Sequence, residues 1–221
     1  MPIERLFSET DVQRLIDCNA TPDFGPRNAA MVMGAVYWGL TPSELTLLPL
    51  EAVMAQGGEF YETWVLPEHV AYNGEPRELH TADHALPFFE QYMDWRLSND
   101  VYRSNLHWYR GSDPKAAFFV NDRYEGYRLS PRAKGSSSYQ ARTVRVKLQS
   151  LIDNAGIQGA KPAAFRDSFV KAMYDEGCRE KDLMAVSGIK QKETIDRKVR
   201  PQPKELDKVF KDLFSRVKMA E

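Results

Sequence analysis

Residues that favour strands are concentrated in one short tract of this 221-residue chain. Phe60, Thr63, Val65, Val70 and Leu79 predict two or three short antiparallel strands, with Asn73-Gly74 as the hairpin turn. Most of the remainder has helical spacing. Ser8-Glu9-Thr10-Asp11 forms a capping box that opens a helix over residues 9–19, and Gly25-Pro26 breaks the chain before an apolar helix at 28–39. Thr41-Pro42-Ser43-Glu44 is a second box, with Thr41 as N-cap and Pro42 at the first helical position, for a short helix ending near Leu48. Leu86, Phe89, Tyr92, Met93 and Leu97 predict a helix over 82–98. A loop follows to about 115, then one more strand at 116–120. From Ser136 onward every segment reads as helix: 138–154, 163–176 closed by Gly177, 179–187 closed by Gly188, and 191–199. Pro201 and Pro203 precede an amphipathic helix at 204–218, with Leu206, Phe210, Leu213, Phe214 and Val217 on one face. The fold class is mixed α/β, mostly α-helical with a small antiparallel sheet. Residues 1–200 form one domain and 201–221 an appended helix that needs something to pack on.

Hydrophobic content of 43% and charged content of 28% suit a globular protein able to build a core without disulfides. Cys18 and Cys178 have no metal spacing and read as reduced thiols of a cytoplasmic protein. His80 and His84 are four apart with no third ligand nearby, so neither a metal nor a cofactor is expected. No signal peptide is expected, and the apolar run at 29–40 is too short to span a bilayer. Trp38, Tyr37, Phe60 and Tyr61 are expected in the core.

The net charge of −1 conceals a strong asymmetry. Residues 1–110 hold 7 basic and 16 acidic side chains, and the first lysine of the chain is Lys115. Residues 111–221 hold 23 basic and 15 acidic ones. A dipolar surface that aids solubility is the plain explanation; a basic surface for a polyanion is the other. Residues 126–152 contain Arg128, Arg132, Lys134, Arg142, Arg145 and Lys147 and no acid. Lys134-Gly135-Ser136-Ser137-Ser138 precedes a helix, so its hydroxyls and N–H groups suit a phosphate, unless it is simply a solvated loop. Arg142 and Arg145 share a helix face. Lys190, Lys192, Arg197, Lys198 and Arg200 make a second basic cluster, and residues 179–199 faintly suggest a helix-turn-helix.

Three segments in order resemble the catalytic domain of the tyrosine recombinases, the phage integrase family. Arg27-Asn28-Ala29-Ala30 through Trp38-Gly39-Leu40-Thr41-Pro42-Ser43-Glu44-Leu45 is similar to its helix and Thr-Gly-Leu-Arg-x-Ser-Glu-Leu turn. Asn73-Gly74-Glu75-Pro76-Arg77-Glu78-Leu79 resembles the strand pair that follows. Ala163-Ala164-Phe165-Arg166-Asp167-Ser168-Phe169, Glu176-Gly177, Val186-Ser187-Gly188-Ile189 and Thr194-Ile195-Asp196-Arg197-Lys198 resemble the terminal pattern. The resemblance covers about residues 8–200; the family's N-terminal DNA-clamping domain has no counterpart.

In that family two arginines hold the scissile phosphate, a hairpin lysine protonates the leaving oxygen, two His-type groups assist and a tyrosine attacks. Carried over, the first arginine falls on Thr41, the lysine near Tyr72, the next position on Ala163, the second arginine on Arg166, the later histidine or tryptophan on Ile189, and the tyrosine on Lys198. Only Arg166 is retained, either as a phosphate contact or in a plain pair with a carboxylate such as Asp167. No arginine lies between Arg27 and Arg77, and no tyrosine follows Tyr174. The resemblance thus implies a degenerate recombinase that binds double-stranded DNA without cutting it, an accessory or regulatory factor of a mobile element, phage-encoded or bacterial and nucleoid-associated. Candidate DNA contacts are Arg128, Arg132, Lys134, Ser136, Arg142, Arg145, Arg166, Lys190 and Lys198. Two alternatives stay open: a protein-interaction module that meets itself or an active recombinase through residues 204–218, and an active recombinase with an atypical site.

Overall fold

The computed structural model describes residues 5–200. Helix α1 (Glu9–Asp17) starts at its expected capping box, where Ser8 Oγ accepts the Asp11 N–H at 3.1 Å and Asp11 returns the bond to the Ser8 N–H. Helix α2 (Gly25–Tyr37) is the centre of the core, with Ala30, Met31, Val32 and Ala35 fully inaccessible. It begins at Gly25-Pro26 rather than at 28, because a proline in the first turn starts a helix as readily as it breaks one. Helix α3 (Pro42–Leu47) follows the second box as expected: Thr41 Oγ1 accepts the Glu44 N–H, and Glu44 accepts the Thr41 N–H at 2.8 Å.

Strands β1 (Thr63–Leu66) and β2 (Arg77–His80) pair antiparallel, Thr63 opposite His80 and Leu66 opposite Arg77. Asn73-Gly74 does not join them as a two-residue hairpin. Pro67 and Pro76 bound the strands and cannot donate to a ladder, so a ten-residue link intervenes. Gly74, at φ +71°, closes a turn onto Ala71 within that link. Helix α4 (Leu86–Ser98) packs on α2.

The strand expected at 116–120 does not form. Phe118 and Phe119 are fully buried, but the segment runs between helices and a turn, and it pairs only through isolated bridges at Pro49–Ala117 and Val120–Gly126. Trp38 stacks on Phe89 at 4.1 Å, and Phe60 packs against the same cluster. Tyr37 is half-buried, whereas Tyr61, expected inside, is 38% exposed.

Strands β3 (Ser130–Pro131) and β4 (Tyr139–Gln140) form a small second hairpin, which corrects the purely helical reading beyond Ser136. Pairing of Tyr139-Gln140 delays helix α5 to Arg142–Asn154. Lys134 to Ser138 therefore form the tip of a hairpin and do not lie at a helix N-terminus. Helices α6 (Ala163–Asp175), α7 (Glu180–Ser187) and α8 (Lys192–Val199) pack on one another. Val170, Leu183, Ile189, Ile195 and Val199 give this group its own hydrophobic cluster. Gly177 and Gly188 end α6 and α7 with positive φ, as expected of C-terminal glycines. The helix expected at 204–218 lies outside the described residues.

The two hydrophobic clusters are tied by a buried ion pair. Arg77 of β2 donates to both carboxylate oxygens of Glu44 in α3, at 2.6 and 3.0 Å, and through Nε to the Val186 carbonyl of α7 at 2.9 Å. Glu44 is fully buried and accepts also from the Tyr72 N–H at 3.1 Å. Removing one partner of such a pair strands the other charge, at a cost of about 3–5 kcal/mol. Arg77→Met should accordingly lower unfolding stability by at least about 3 kcal/mol in a urea titration; a loss below about 1 kcal/mol would show that Glu44 is not held by this pair.

Candidate nucleic-acid interface

A cleft of about 870 Å³ opens between α3, the β1–β2 link, the β3–β4 hairpin, α5 and the start of α6. Thr41, Tyr72, Ala163, Arg166 and Lys198 all line it. Five of the six positions that the resemblance assigns to recombinase chemistry thus meet in one place, although they are separated by up to 157 residues. The sixth, Ile189, does not: it is buried in the α6–α8 cluster, where its apolar side chain packs.

Local structure accounts for four of these side chains. Thr41 is bound to α3 as its cap. Tyr72 is exposed, and its hydroxyl donates to the Gly188 carbonyl at 2.5 Å. Arg166 projects from the first turn of α6 with its guanidinium over the Tyr72 ring, 4.4 Å from the centroid, and donates to the Tyr72 hydroxyl at 2.9 Å and to the Ser187 carbonyl. Its Nε finds no hydrogen-bond partner among the described residues. The plain pairing of Arg166 with Asp167 is not formed; Asp167 receives the ammonium of Lys198. The position on which the family's tyrosine falls is therefore a lysine engaged by a carboxylate.

Arg132 and Arg145 complete the cationic wall. Lys161 lines it too and was missed in the sequence, where it stands alone between Ala160 and Pro162. Arg128, Lys134 and Arg142 are exposed along the β3–β4 hairpin and the start of α5. Ser136 Oγ accepts the Ser138 N–H at 3.0 Å, so that hydroxyl shapes the hairpin tip. Lys147, part of the same basic run, turns inward: burial, reinforced by the Arg27 cation, holds its ammonium below the usual lysine range, while Asp122 at 3.6 Å opposes this. Lys190 is elsewhere. It pairs with Glu75 at 2.6 Å beside a separate cavity between β2 and α7. Lys192 likewise pairs with Glu180 at 2.7 Å. His80 hydrogen-bonds Thr63 at 3.0 Å and His84 meets the Tyr37 ring edge-on, and no cluster of three metal-ligating side chains occurs among the described residues.

No protein-family model matches the chain, and no curated protein matches it in sequence. Solved structures do match. The crystal structure of XerA recombinase superposes with a TM-score of 0.69 over 99% of this chain and 67% of that one, at 18% identity. The XerH site-specific recombinase, in its post-cleavage complex with difH substrate, gives 0.63 over 95% of this chain and 53% of that one, at 11% identity. The catalytic domain of bacteriophage HP1 integrase gives 0.53 over 94% of both chains, at 14% identity. The fold is that of a tyrosine-recombinase catalytic domain. This recombinase fold spans about half to two thirds of the XerH and XerA chains and nearly all of the integrase domain. Among the described residues, no helix is long and apolar enough to cross a membrane.

Within this fold, the Tyr72 hydroxyl ties the β1–β2 connection to α6 and to the end of α7, beside the Asn73 amide, which donates to the same Gly188 carbonyl at 3.0 Å. Tyr72→Phe keeps the ring over Arg166 and deletes both hydroxyl bonds, so it should cost about 1 kcal/mol in chemical unfolding; an unchanged midpoint would show that those bonds add nothing.

Proposed function

We propose that this cleft holds double-stranded DNA by its phosphate backbone without cutting it, and that the protein is an accessory or regulatory factor in the integration or recombination of a mobile element, acting at the nucleoid. The supporting observation is the composition of the cleft. Among the described residues, Arg132, Arg145, Lys161, Arg166 and Lys198 line it with Asp167 as the one acid, within a recombinase fold. Guanidinium groups suit phosphate oxygens, and the exposed Arg128, Lys134 and Arg142 extend the positive surface. At three of the positions that the resemblance assigns to the family's reacting groups, Thr41, Tyr72 and Lys198 carry side chains with internal partners. Loss of one preorganised phosphate donor alone slows such chemistry about 10²–10³-fold.

If several phosphates are neutralised, the logarithm of the affinity falls linearly with that of the salt concentration, by about 0.9 for each phosphate. Fluorescence anisotropy with a labelled duplex should give a slope of about −4 to −6. The Arg132→Ala/Arg145→Ala double variant should be less steep by about 2 and weaker on every duplex. Absence of binding at low salt, or binding indifferent to salt, contradicts the proposal.

One observation favours a second reading, an active site with an atypical nucleophile. Tyr72 and Tyr139 both line the cleft, and the Tyr72 hydroxyl touches Arg166. The Tyr72 proton, however, is directed at the Gly188 carbonyl, which cannot act as a base. Incubation with a nicked, labelled duplex should leave no adduct on a denaturing gel; an adduct that disappears in Tyr72→Phe establishes the second reading.

A further inference from the structure

Of the four tryptophans, Trp38, Trp64 and Trp95 are buried, whereas Trp108 is 45% exposed, with Leu106 exposed beside it. The loop that carries them is held in place. The Tyr109 N–H donates to the Gln56 carbonyl at 3.0 Å and the Ser104 N–H to the Gly111 carbonyl at 2.7 Å. Arg110 donates to the Gly58 carbonyl and to both carboxylate oxygens of Glu90. Tyr109 and Arg110 both sit in the left-handed region, at φ +51° and +54°, which non-glycine residues seldom adopt. A fixed loop that holds an indole in water is preorganised for a partner, because docking it costs little further ordering. The surface around it is acidic. Residues 48–113 hold 11 acidic and 4 basic side chains. Of those four, Arg77 and Arg96 are buried, Arg103 pairs with Asp100 and Arg110 with Glu90. Glu51, Glu59 and Asp113 are exposed on the segments that hold the loop. Burial, with the Tyr61 hydroxyl and the Glu51 carboxylate close by, pushes the Tyr109 phenol up.

The cationic cleft is the complement of this loop. Leu47, Tyr72, Tyr139 and Val146 stand exposed among its basic side chains. The Trp108 loop does not line its own cleft, and its hydrogen bonds hold it elsewhere, so it meets a cleft only on another molecule. Opposite charge on the two halves of the chain favours such a head-to-tail encounter, and a net charge of −1 leaves little overall repulsion between copies. We propose that the Trp108 loop of one molecule seats in the cleft of a second copy, so that free protein covers the surface that binds DNA. The carboxylates around the loop take the place of phosphates, and Trp108 and Leu106 pack on the exposed apolar groups of the cleft. The inference concerns regulation of that cleft and rests on its DNA-binding reading. Because the contact joins two different surfaces, it propagates to further copies unless it closes into a ring. A contact made by one loop is small, and small interfaces are weak and transient, so DNA displaces it.

The test is sedimentation equilibrium over a concentration series, run on the whole chain and on Trp108→Ala and Glu51→Lys, with duplex binding measured on the same three proteins. Both positions are on the surface, and circular dichroism checks that each variant is folded. At low salt the mean mass of the wild-type protein should climb above that of one chain as concentration rises, and return to it at high salt. Trp108 is the exposed indole, so its fluorescence should become harder to quench with acrylamide as the protein associates, and easier again when a short duplex is added. Trp108→Ala should weaken self-association at least about tenfold, and Glu51→Lys should weaken it too. Both variants should keep duplex affinity within about twofold of the wild type. A mass of one chain at every concentration in low salt, with duplex binding intact, overturns the self-contact and leaves the DNA reading in place. Association that Trp108→Ala does not weaken, or that duplex does not reverse, overturns it as well. Association that depends on Trp108 in a protein that binds no duplex upholds the self-contact and overturns the DNA reading.

Discussion

The buried contact between Glu44 and Arg77 is the constraint on which the rest of the molecule depends. Neither charge could remain in the interior alone; desolvating either costs several kcal/mol unless every oxygen and N–H is met. The Glu44 carboxylate is met by the Thr41 N–H, the Tyr72 N–H and two guanidinium nitrogens, and Arg77 spends its remaining Nε on Val186. These bonds join α3, the β1–β2 link, β2 and α7. They fix where Thr41 and Tyr72 enter the cleft and hold the α6–α8 cluster against the larger core.

From that junction the electrostatics of the cleft follow. Arg166 is carried by α6, braced on Tyr72 and on the Ser187 carbonyl beside the end of α7. Lys198 comes from α8 and is held by Asp167. The opposite wall comes from the β3–β4 hairpin and α5, which bring Arg132 and Arg145. A cleft of this kind is positive by construction, and its low-dielectric floor strengthens the field on an approaching anion. The Tyr72 hydroxyl and the Lys198 ammonium are both engaged within the protein, by the Gly188 carbonyl and by Asp167. On the proposed reading, the geometry that serves cleavage in a recombinase serves retention here.

Much of the frame was legible in the sequence because its signals are local. Both capping boxes form, and Gly177 and Gly188 end helices where such glycines should. Alignment by motif brought Thr41, Tyr72, Ala163, Arg166 and Lys198 to one cleft. Several of the failures turn on partners outside the local window. The Tyr72–Arg166 contact spans 94 residues, and nothing in either neighbourhood announces it. Phe118 and Phe119 have strand-like composition, yet the elements beside them are helices, and burial alone does not make a ladder. Lys190 shares the charge of the DNA candidates, but Glu75, 115 residues away, claims it on another surface. Tyr139-Gln140 would continue a helix were Ser130-Pro131 not there to pair with it. The charge asymmetry between the halves located the basic half of the molecule; which cations share a cleft required the fold.

Hydrogen–deuterium exchange with and without a duplex at low salt tests the central claim most directly, because it reports where DNA lies on the protein. The account predicts slowed exchange in peptides covering residues 68–74, 129–149 and 161–168, with the acidic helix α4 unchanged. Protection confined to α4 or to the outer face of β1 and β2, with residues 129–149 unaffected, would contradict it.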